Sequence, residues 1–442
     1  MFKRNSLSIQ LTSLLIITGS VMAVDGLSKN PQLLDSLTIW LSETNATSPQ
    51  SPRSVELLFP VLVRNSNSIQ AAVAGYEAAR SSESKISNFP DPSLSVGIFG
   101  EPLETANGPQ RFKIGLNQSI PLPGKIRAEK AIFRTRTAQA LSELELTFLQ
   151  EIHTLRQIWN DLVTQSHLRT ILKQKMGLSE ELLSVMDTGY RSGLVSHAGL
   201  TRQQIDHRLL EDTQARITDA TDRAMIRMMT LLQLETPLVI DNVGDIGLPD
   251  LIEIDSKTQN IHPRVNRLSA LVAESSASID RAQAAFYPDF RLGLEIMILD
   301  EKEAGGVILP GSGQDAWVVS VGAELPLWNW KQKRAGLRAT ELQHRQSTLL
   351  LEHEQLAEQE SILLTQSRLQ QHLRRIDLFQ SEIIPRGAEQ VRIAEQNYIT
   401  DDGDLSAYIQ AKQVLLDMKI ELIEEQKRAA DEWVNISFWR SF

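Results

Sequence analysis

The sequence predicts a mainly α-helical protein with a β-barrel portion, built from a duplicated unit of helix, hairpin, long helix and returning helix. Three observations support this prediction. Similar segments recur about 200 residues apart, which indicates an internal duplication. Each copy contains two segments in which apolar residues alternate with small or polar ones, as in strands with two different faces. Each copy then continues into long segments whose apolar residues have helical spacing.

Composition excludes several classes of function. The net charge of −10 disfavours a nucleic-acid partner, because phosphate binding needs a basic face. The chain has no cysteine, which excludes disulfides, thiolate metal sites and lipid attachment through cysteine. No phosphate-binding loop, zinc-protease motif or serine-hydrolase motif occurs, so we expect no catalytic residues and no cofactor. Met225, Met228 and Met229 share a helix face, which is more typical of core packing than of a copper site, and we expect no metal.

The N-terminus predicts export. Lys3 and Arg4 precede an apolar run that ends at Val21-Met22-Ala23, which predicts a signal peptide over residues 1–23. The alternative is a signal anchor that stays attached. No later run of about 18 apolar residues follows, so we expect the mature chain to be either soluble outside the cytoplasm or a β-barrel.

The remaining chain divides into two repeats. An extended segment is expected over residues 24–54 and a linker over 241–261. The first repeat covers residues 55–240 with a hairpin at 93–120, and the second covers 262–442 with a hairpin at 290–325. Prolines bound each hairpin because they end the flanking helices.

The hairpins have the length of membrane-spanning strands, about nine or ten residues each. Segments rich in glycine, proline and charge predict exposed hairpin loops at Gly100–Gln110 and Glu301–Gln314. The apolar positions alternate with serine, glycine, asparagine, lysine and glutamate. We expect Leu116, Leu294 and Val321 to face lipid and the polar positions to face a wet lumen.

Long helices follow each hairpin. The first is predicted from about Lys125 to about Asp187, which at 1.5 Å per residue is roughly 90 Å. Returning helices are predicted over Leu200–Leu234 and from Leu405 to about Ile436. A cytoplasmic coiled coil would share these helices, but it does not explain the signal sequence or the duplicated hairpins.

Four strands cannot close a barrel. Open strand edges in lipid would leave unpaired backbone N–H and C=O groups, and each of these groups would destabilise the fold by several kcal/mol. Three protomers would supply about twelve strands, which is enough for closure. The same threefold symmetry would gather twelve helices into a tube. We therefore expect a homotrimer.

The ordered and duplicated motifs resemble the TolC-type outer-membrane efflux proteins from about Val55 to about Ser437. The motifs are a Pro-Asp-Pro hairpin entry, an Ile-Pro-Leu-Pro-Gly-Lys exit and a Tyr-x-x-Gly turn. The resemblance implies a trimer in the outer membrane with a twelve-strand barrel and a long periplasmic α-helical tunnel. It also implies outer-membrane lipid contacts, a periplasmic adaptor and an inner-membrane pump or transporter. Such a duct is a passive wall, so the exported substrate is not predicted from this sequence.

The family's periplasmic tip maps onto two turns. The first contains Tyr190, Arg191 and Gly193, where glycine permits the positive φ of a helix reversal. The second contains Tyr398 and Gly403, and Gly403 stands two residues later than the family pattern expects.

A gate hypothesis follows from the charges at these turns. Symmetry would bring Asp401, Asp402 and Asp404 around one axis, where Arg191 and Arg202 would pair with them. The alternative is that these are ordinary solvated charges and that Asp404 caps the following helix.

Two other classes of protein compete with the export duct. A secreted coiled-coil structural or adaptor protein would have similar helices but hairpins with polar or buried faces. A secreted hydrolase is the weaker alternative, because no catalytic constellation is evident in the sequence.

Overall fold

A computed structural model of the chain describes the following residues: 52, 54–84, 89–236, 246, 261–304, 307–308, 310–325, 328–400 and 405–440. These residues are mostly helical with a small antiparallel sheet, which confirms that part of the predicted fold class. The predicted signal peptide (1–23) lies outside the described residues. So do nearly all of the predicted N-terminal segment (24–54) and linker (241–261).

The main elements occur twice in the same order: a helix, two long strands, a long helix and a returning helix. After a short 3-10 helix, Val55–Leu58, the first copy contains α1 (Phe59–Asn65), α2 (Asn67–Ser84), β1 (Ser93–Thr105), β2 (Gly108–Ile120), α3 (Pro123–Arg191) and α4 (His197–Leu232). The second copy contains α5 (Pro263–Ala284), β3 (Asp289–Leu299), β4 (Glu303–Ala304), β5 (Val307–Ile308), β6 (Ala316–Glu324), α6 (Trp330–Leu378), α7 (Ile384–Ile399) and α8 (Leu405–Arg440).

The helix α3 is longer than predicted at both ends. It begins at Pro123, where a missing backbone N–H costs nothing because the first turn has no acceptor for it. It continues past the predicted end at Asp187 to Arg191. The Arg191 guanidinium lies 2.7 Å from the Asp187 carboxylate one turn earlier, and a cation suits the negative end of the helix dipole.

A π-helical turn interrupts the long helix of the second copy. Residues Phe379–Ile383 form this turn between α6 and α7, just before Pro385. Proline has no N–H for the helix ladder and its ring crowds the preceding turn, so a locally wider turn relieves both problems. Pro385 is the sequence signal for this interruption.

The four main strands form one antiparallel sheet in the order β1-β2-β3-β6. The prediction of a loop over Gly100–Gln110 is wrong for most of that range. Strand β1 continues to Thr105, and β2 already begins at Gly108. A register shift lies between Ile98 and Leu103, and β1 is an edge strand, where proline and glycine are tolerated. The second connection contains the small β4–β5 ladder.

Gly108 occupies a position that only glycine fits. Its φ is +127°, and a Cβ atom there would stand 1.9 Å from the carbonyl oxygen of Asp300. The neighbouring backbone is joined by a hydrogen bond of 2.9 Å from the Asp300 N–H to the Pro109 carbonyl. The tight turn of the first hairpin therefore packs against the connection of the second hairpin.

The described residues form two compact units. The helical unit consists of the described residues within Met1–Ala74, Ser142–Arg264 and Glu354–Phe442, and the sheet unit consists of those within Gly75–Leu141 and Val265–His353. Buried side chains of the helical unit include Leu144, Phe148, Leu155, Leu232 and Ile436. Buried side chains of the sheet unit include Tyr76, Ile132, Val265 and Ala277.

A buried carboxylate joins α6 to α8 in the helical unit. The Glu425 side chain is 1% exposed, and its oxygens lie 2.7 Å from His372 Nδ1, 3.1 Å from Arg375 Nε and 2.5 Å from an Arg428 nitrogen. Burying a charge is unfavourable unless it is paired and hydrogen-bonded, and here both oxygens have cationic or histidine partners. The network thus fixes the register of α6 against α8.

His262, at the start of α5, is fully buried in the helical unit. Its ring centroid lies 5.0 Å from those of Phe438 and Trp439 on α8, and its Nδ1 accepts the backbone N–H of Arg264 at 3.3 Å. Burial, and next the charge of Arg264, lower the pKa of His262 to about 4, against a weaker opposing effect of the Phe438 backbone. The imidazole is therefore neutral in the folded protein at neutral pH.

This lowered pKa predicts a loss of stability in acid. Below pH 6.5 the unfolded state takes up a proton on His262 that the folded state does not bind, so stability falls as the pH drops from 6.5 toward 4. The effect reaches about 3 kcal/mol, since one pKa unit corresponds to about 1.4 kcal/mol. Thermal unfolding followed by circular dichroism at about pH 7.5 and about pH 4.5 should show a smaller difference for His262→Asn than for wild type. Equal differences in the two proteins would contradict the assignment.

Candidate functional site: the sheet faces and the helix turns

One face of the sheet is apolar and exposed across all four strands. The register places Leu94, Leu116, Leu294 and Val319 in a single row. A second row contains Val96, Ile114, Ile296 and Trp317. All eight side chains are exposed in the single chain. Isolated exposed apolar residues are ordinary, but a contiguous patch of this kind marks an interaction surface.

The three side chains predicted to face lipid lie together on this surface. Leu116 pairs with Leu294 across β2 and β3, and Val321 pairs with Leu292, which is two residues from Leu294 and shares its face. The exposed fractions are 45% for Leu116, 42% for Leu294 and 76% for Val321. The structure therefore brings the three onto one exposed face, and contact with lipid remains a prediction.

The opposite face is mostly polar and closely packed. Lys113 Nζ lies 3.8 Å from the Glu295 carboxylate across β2 and β3. A Cβ atom at Gly293 would stand 2.5 Å from Ser320 Oγ and 2.8 Å from Asn117 Oδ1, so only glycine fits there without rearrangement. Val318 departs from the polar pattern, since it occupies this face and is exposed.

The first helix turn is a compact reversal between α3 and α4. Gly193 has a φ of +77°, which confirms the expected positive φ at this glycine. The N–H of Leu194 donates to the Gly189 carbonyl at 2.8 Å, and Ser196 caps α4 by accepting the Gly199 N–H at 3.2 Å. Leu194 is 86% exposed at the apex of the turn.

The charges at this turn are only partly described. Arg191 pairs with Asp187 of its own helix, and Arg202 is exposed on α4. Asp401, Asp402, Gly403 and Asp404, which complete the gate hypothesis, lie outside the described residues. The structure thus places the two arginines and leaves the gate as a hypothesis. Tyr190, also predicted here, lies with its ring centroid 5.5 Å from that of His197.

An aromatic contact that was not predicted from the sequence joins α7 to α8 beside the second turn. The rings of Tyr398 on α7 and Tyr408 on α8 are stacked with centroids 6.2 Å apart. Tyr408 also donates its hydroxyl to Glu395 at 3.0 Å, and the ammonium of Lys412 lies 4.3 Å from the Tyr408 ring centroid. The two tyrosines stand at similar distances along the sequence before and after the turn, and this symmetric spacing is the sequence signal for their contact.

Further along the same helix pair, Gly387 permits a close approach of α7 and α8. A Cβ atom at Gly387 would stand 2.7 Å from the sulfur of Met418 and 3.2 Å from Leu415 Cδ1. Close packing against α8 therefore favours glycine at this position.

In the described part of the chain, no group of three or more histidine, cysteine, aspartate or glutamate residues has a metal-binding arrangement. Within those same ranges, no helix is both long and apolar enough to cross a membrane. Met228 is fully buried on α4, as expected for core packing. His207 Nδ1 lies 3.1 Å from Ser179 Oγ, a contact between α3 and α4.

No protein-family model and no curated protein sequence matches the chain. Several solved structures match it. CusC, whose crystal structures describe conformational changes accompanying folding and transmembrane channel formation, has 15% identity and a TM-score of 0.70, with 87% of this chain and 91% of CusC covered. The outer membrane channel CmeC of Campylobacter jejuni has 16% identity and a TM-score of 0.67, with 87% and 85% covered. The outer membrane protein VceC of Vibrio cholerae has 16% identity and a TM-score of 0.67, with 87% and 95% covered.

These structures share nearly their whole length with this chain, at identities at which only the fold is comparable. The likeness extends over helices and strands alike, since almost nine tenths of the chain is covered. The chain therefore has the fold of the TolC-type outer-membrane efflux channels, as the resemblance of its sequence to that family predicts.

Proposed function

We propose that this chain is one protomer of a passive trimeric duct in the outer membrane, the channel component of a tripartite efflux or secretion system. The observation that carries the proposal is the continuous exposed apolar row Leu94, Leu116, Leu294 and Val319. Rows of this kind on one face of a sheet, with a polar opposite face, are typical of transmembrane β-barrels. The fold likeness to CmeC, an outer membrane channel, supports the same location.

The height of the apolar face fits a bilayer. Apolar residues alternate along β3 from Phe290 to Ile298, which spans about 27 Å at about 3.4 Å per residue. A strand tilt of about 40° reduces this to about 21 Å, close to the apolar band of about 25 Å on outer-membrane barrels. We infer that the face lies in the outer membrane and contacts its lipid.

Trimerisation would complete the barrel. The sheet of one chain ends at β1 on one side and at β6 on the other. Each edge has backbone N–H and C=O groups that lipid cannot satisfy. Pairing β6 of one protomer with β1 of the next, three times, gives about twelve strands without an edge. The homotrimer would then continue as a periplasmic tunnel of helices, open to cargo passing outward.

A duct of this kind needs an energised partner, because a passive wall performs no work. We therefore propose that a periplasmic adaptor protein and an inner-membrane pump or transporter complete the system. The exposed apex of the first turn, with Leu194, is available for such contacts. The alternative of a secreted coiled-coil structural or adaptor protein predicts hairpins with polar or buried faces, and the exposed apolar rows argue against it.

We also propose that the carboxylates at residues 401, 402 and 404 form a ring that closes the duct at rest. Arg191 would exchange its present partner Asp187 for such a carboxylate, and Arg202 would contribute a second cation. Exposed ion pairs contribute at most about 1 kcal/mol each, so several must act together across the trimer. A ring of carboxylates also favours cations in the pore.

A charge scan tests the lipid-facing assignment. Arg placed singly at Leu116, Leu294 or Val321 should destabilise the barrel by about 2–4 kcal/mol near the bilayer centre. Arg at Asn117 or Ser320, on the opposite face, is the matched control and should change conductance instead. Urea titrations of protein folded into vesicles measure the first effect, and planar bilayers measure the second. Equal destabilisation by both sets would contradict the assignment of faces.

Removal of the carboxylates tests the gate. Replacing Asp401, Asp402 and Asp404 by Ala should raise resting conductance and weaken cation preference in planar bilayers, because the ring would lose its closing pairs and its charge. The matched control removes three exposed carboxylates of α4 through Asp206→Ala, Asp212→Ala and Asp219→Ala. Wild-type conductance and selectivity in the first variant would place the gate elsewhere.

A further inference from the structure

Exposed aromatic side chains gather at one end of the sheet unit. This is the end where Phe290 pairs with Ile120 and Ala323, and it lies away from the pairing of Ile296 with Trp317. The group is formed by Phe89, Tyr287, Phe290, Trp328 and Trp330, of which Trp328 is 81% exposed. Aromatic residues at the rim of an apolar band are typical of a boundary between lipid and water.

Basic residues follow immediately in the chain. Six cations and a single carboxylate, Glu129, occur within Pro123–Lys130 and Trp330–Arg334, the beginnings of α3 and α6. The chain as a whole has a net charge of −10, so this concentration of positive charge runs against the average composition. The two helix starts are therefore locally basic in an acidic protein.

The structure brings these two basic segments to one place, the junction between α5 and β3. Lys125 Nζ lies 3.1 Å from the Tyr287 carbonyl and 2.8 Å from the Asp289 carboxylate. Lys333 Nζ donates to the Ala285 carbonyl at 2.7 Å. The Trp330 ring packs on Phe286 with centroids 5.4 Å apart. Both helix starts therefore contact one short segment of the chain, residues 285–289.

Ion pairs neutralise only some of the basic side chains in this region. Lys125 is paired with Asp289, and Arg291 is paired with Glu324 at 2.9 Å. Three further cations, Arg127, Lys331 and Arg334, are exposed and have no ion pair within the part of the chain that the structure describes.

We propose that Arg127, Lys331 and Arg334, with Trp328 and Trp330, form a cationic collar that binds the headgroups of anionic phospholipids. The inference rests on the proposed function, because it requires the apolar face of the sheet to lie in a bilayer. The collar would meet the leaflet that adjoins the helices. The phosphodiester of the lipid would pair with the exposed cations while the indole rings lie at headgroup level.

Two features of the structure favour a lipid as the occupant of the collar. The collar is continuous with the apolar face of the sheet, so a ligand there would have its acyl chains beside aliphatic side chains. The charge is complementary to an anionic headgroup and repels cationic surfaces. A soluble phosphate compound would use the cations alone and would gain nothing from the adjoining apolar rows.

Lipid competition on the reconstituted protein tests the collar. The protein is placed in mixed phosphatidylcholine and phosphatidylglycerol vesicles, with either lipid brominated, and quenching of tryptophan fluorescence gives their relative association constants. Wild type should prefer phosphatidylglycerol, and about 0.5 M NaCl should weaken the preference by screening. The variant Arg127→Gln, Lys331→Gln, Arg334→Gln should lose up to about fivefold in preference for each cation removed.

A matched variant separates the collar from net charge. Arg216→Gln, Arg223→Gln, Arg374→Gln removes three exposed cations of the helical unit and should keep the wild-type preference. Equal lipid preference in wild type and the collar variant, or no preference in wild type, would overturn the inference. Both results would leave the proposed function intact if the protein still inserts into pure phosphatidylcholine. A wild-type protein that enters neither kind of vesicle contradicts the proposed function, and the collar with it.

Discussion

Hydrogen bonding at the edges of a four-stranded sheet is the constraint on which the rest of the account depends. One chain supplies β1, β2, β3 and β6 in that order, and the outer strands end the sheet. An apolar face such as that around Leu116 and Leu294 suits lipid, yet lipid has no donors or acceptors for strand edges. The two demands are compatible only if strand edges from separate copies pair. The proposed trimer follows from this physical requirement as well as from the likeness of fold.

The helical unit meets a different requirement, because its long helices must keep one register along their length. Half-buried polar contacts provide this within the unit. Lys427 on α8 lies 3.0 Å from Asp161 on α3 and 2.5 Å from Asp431, and Asn160 donates to Asp431 at 3.0 Å. Burial opposes the charge of Lys427, but the two carboxylates outweigh it and raise the pKa of the ammonium group. The Lys427 ammonium group therefore remains charged across the physiological range.

The sequence was informative wherever a residue type had a single physical use. Period-two alternation predicted which side chains share a face, and the register puts Leu116 and Leu294 directly opposite each other. Gly193 predicted a positive φ because other residues avoid that region. The ends of β1 and β2 were missed because glycine and proline usually mark loops, whereas an edge strand with a register shift accepts them.

Contacts that depend on tertiary packing could not be predicted from the sequence in this way. The stacking of Tyr398 on Tyr408 and the approach of Gly387 to Met418 require the relative register of two helices. No local periodicity encodes that register. The gate carboxylates 401, 402 and 404 illustrate a further limit, since they lie outside the described residues and only symmetry between copies would bring them together.

Disulfide trapping between β1 and β6 tests the central claim most directly. The chain has no cysteine, so Ser95→Cys combined in turn with Cys at Val318, Ser320 or Gly322 introduces the only thiols. Within one chain the two strands are separated by two others, roughly 14 Å, which is too far for a disulfide. Oxidation in the membrane should therefore link three chains into a covalent ring for at least one pair, seen on a non-reducing gel. Monomer alone throughout the scan would contradict closure of the sheet between protomers.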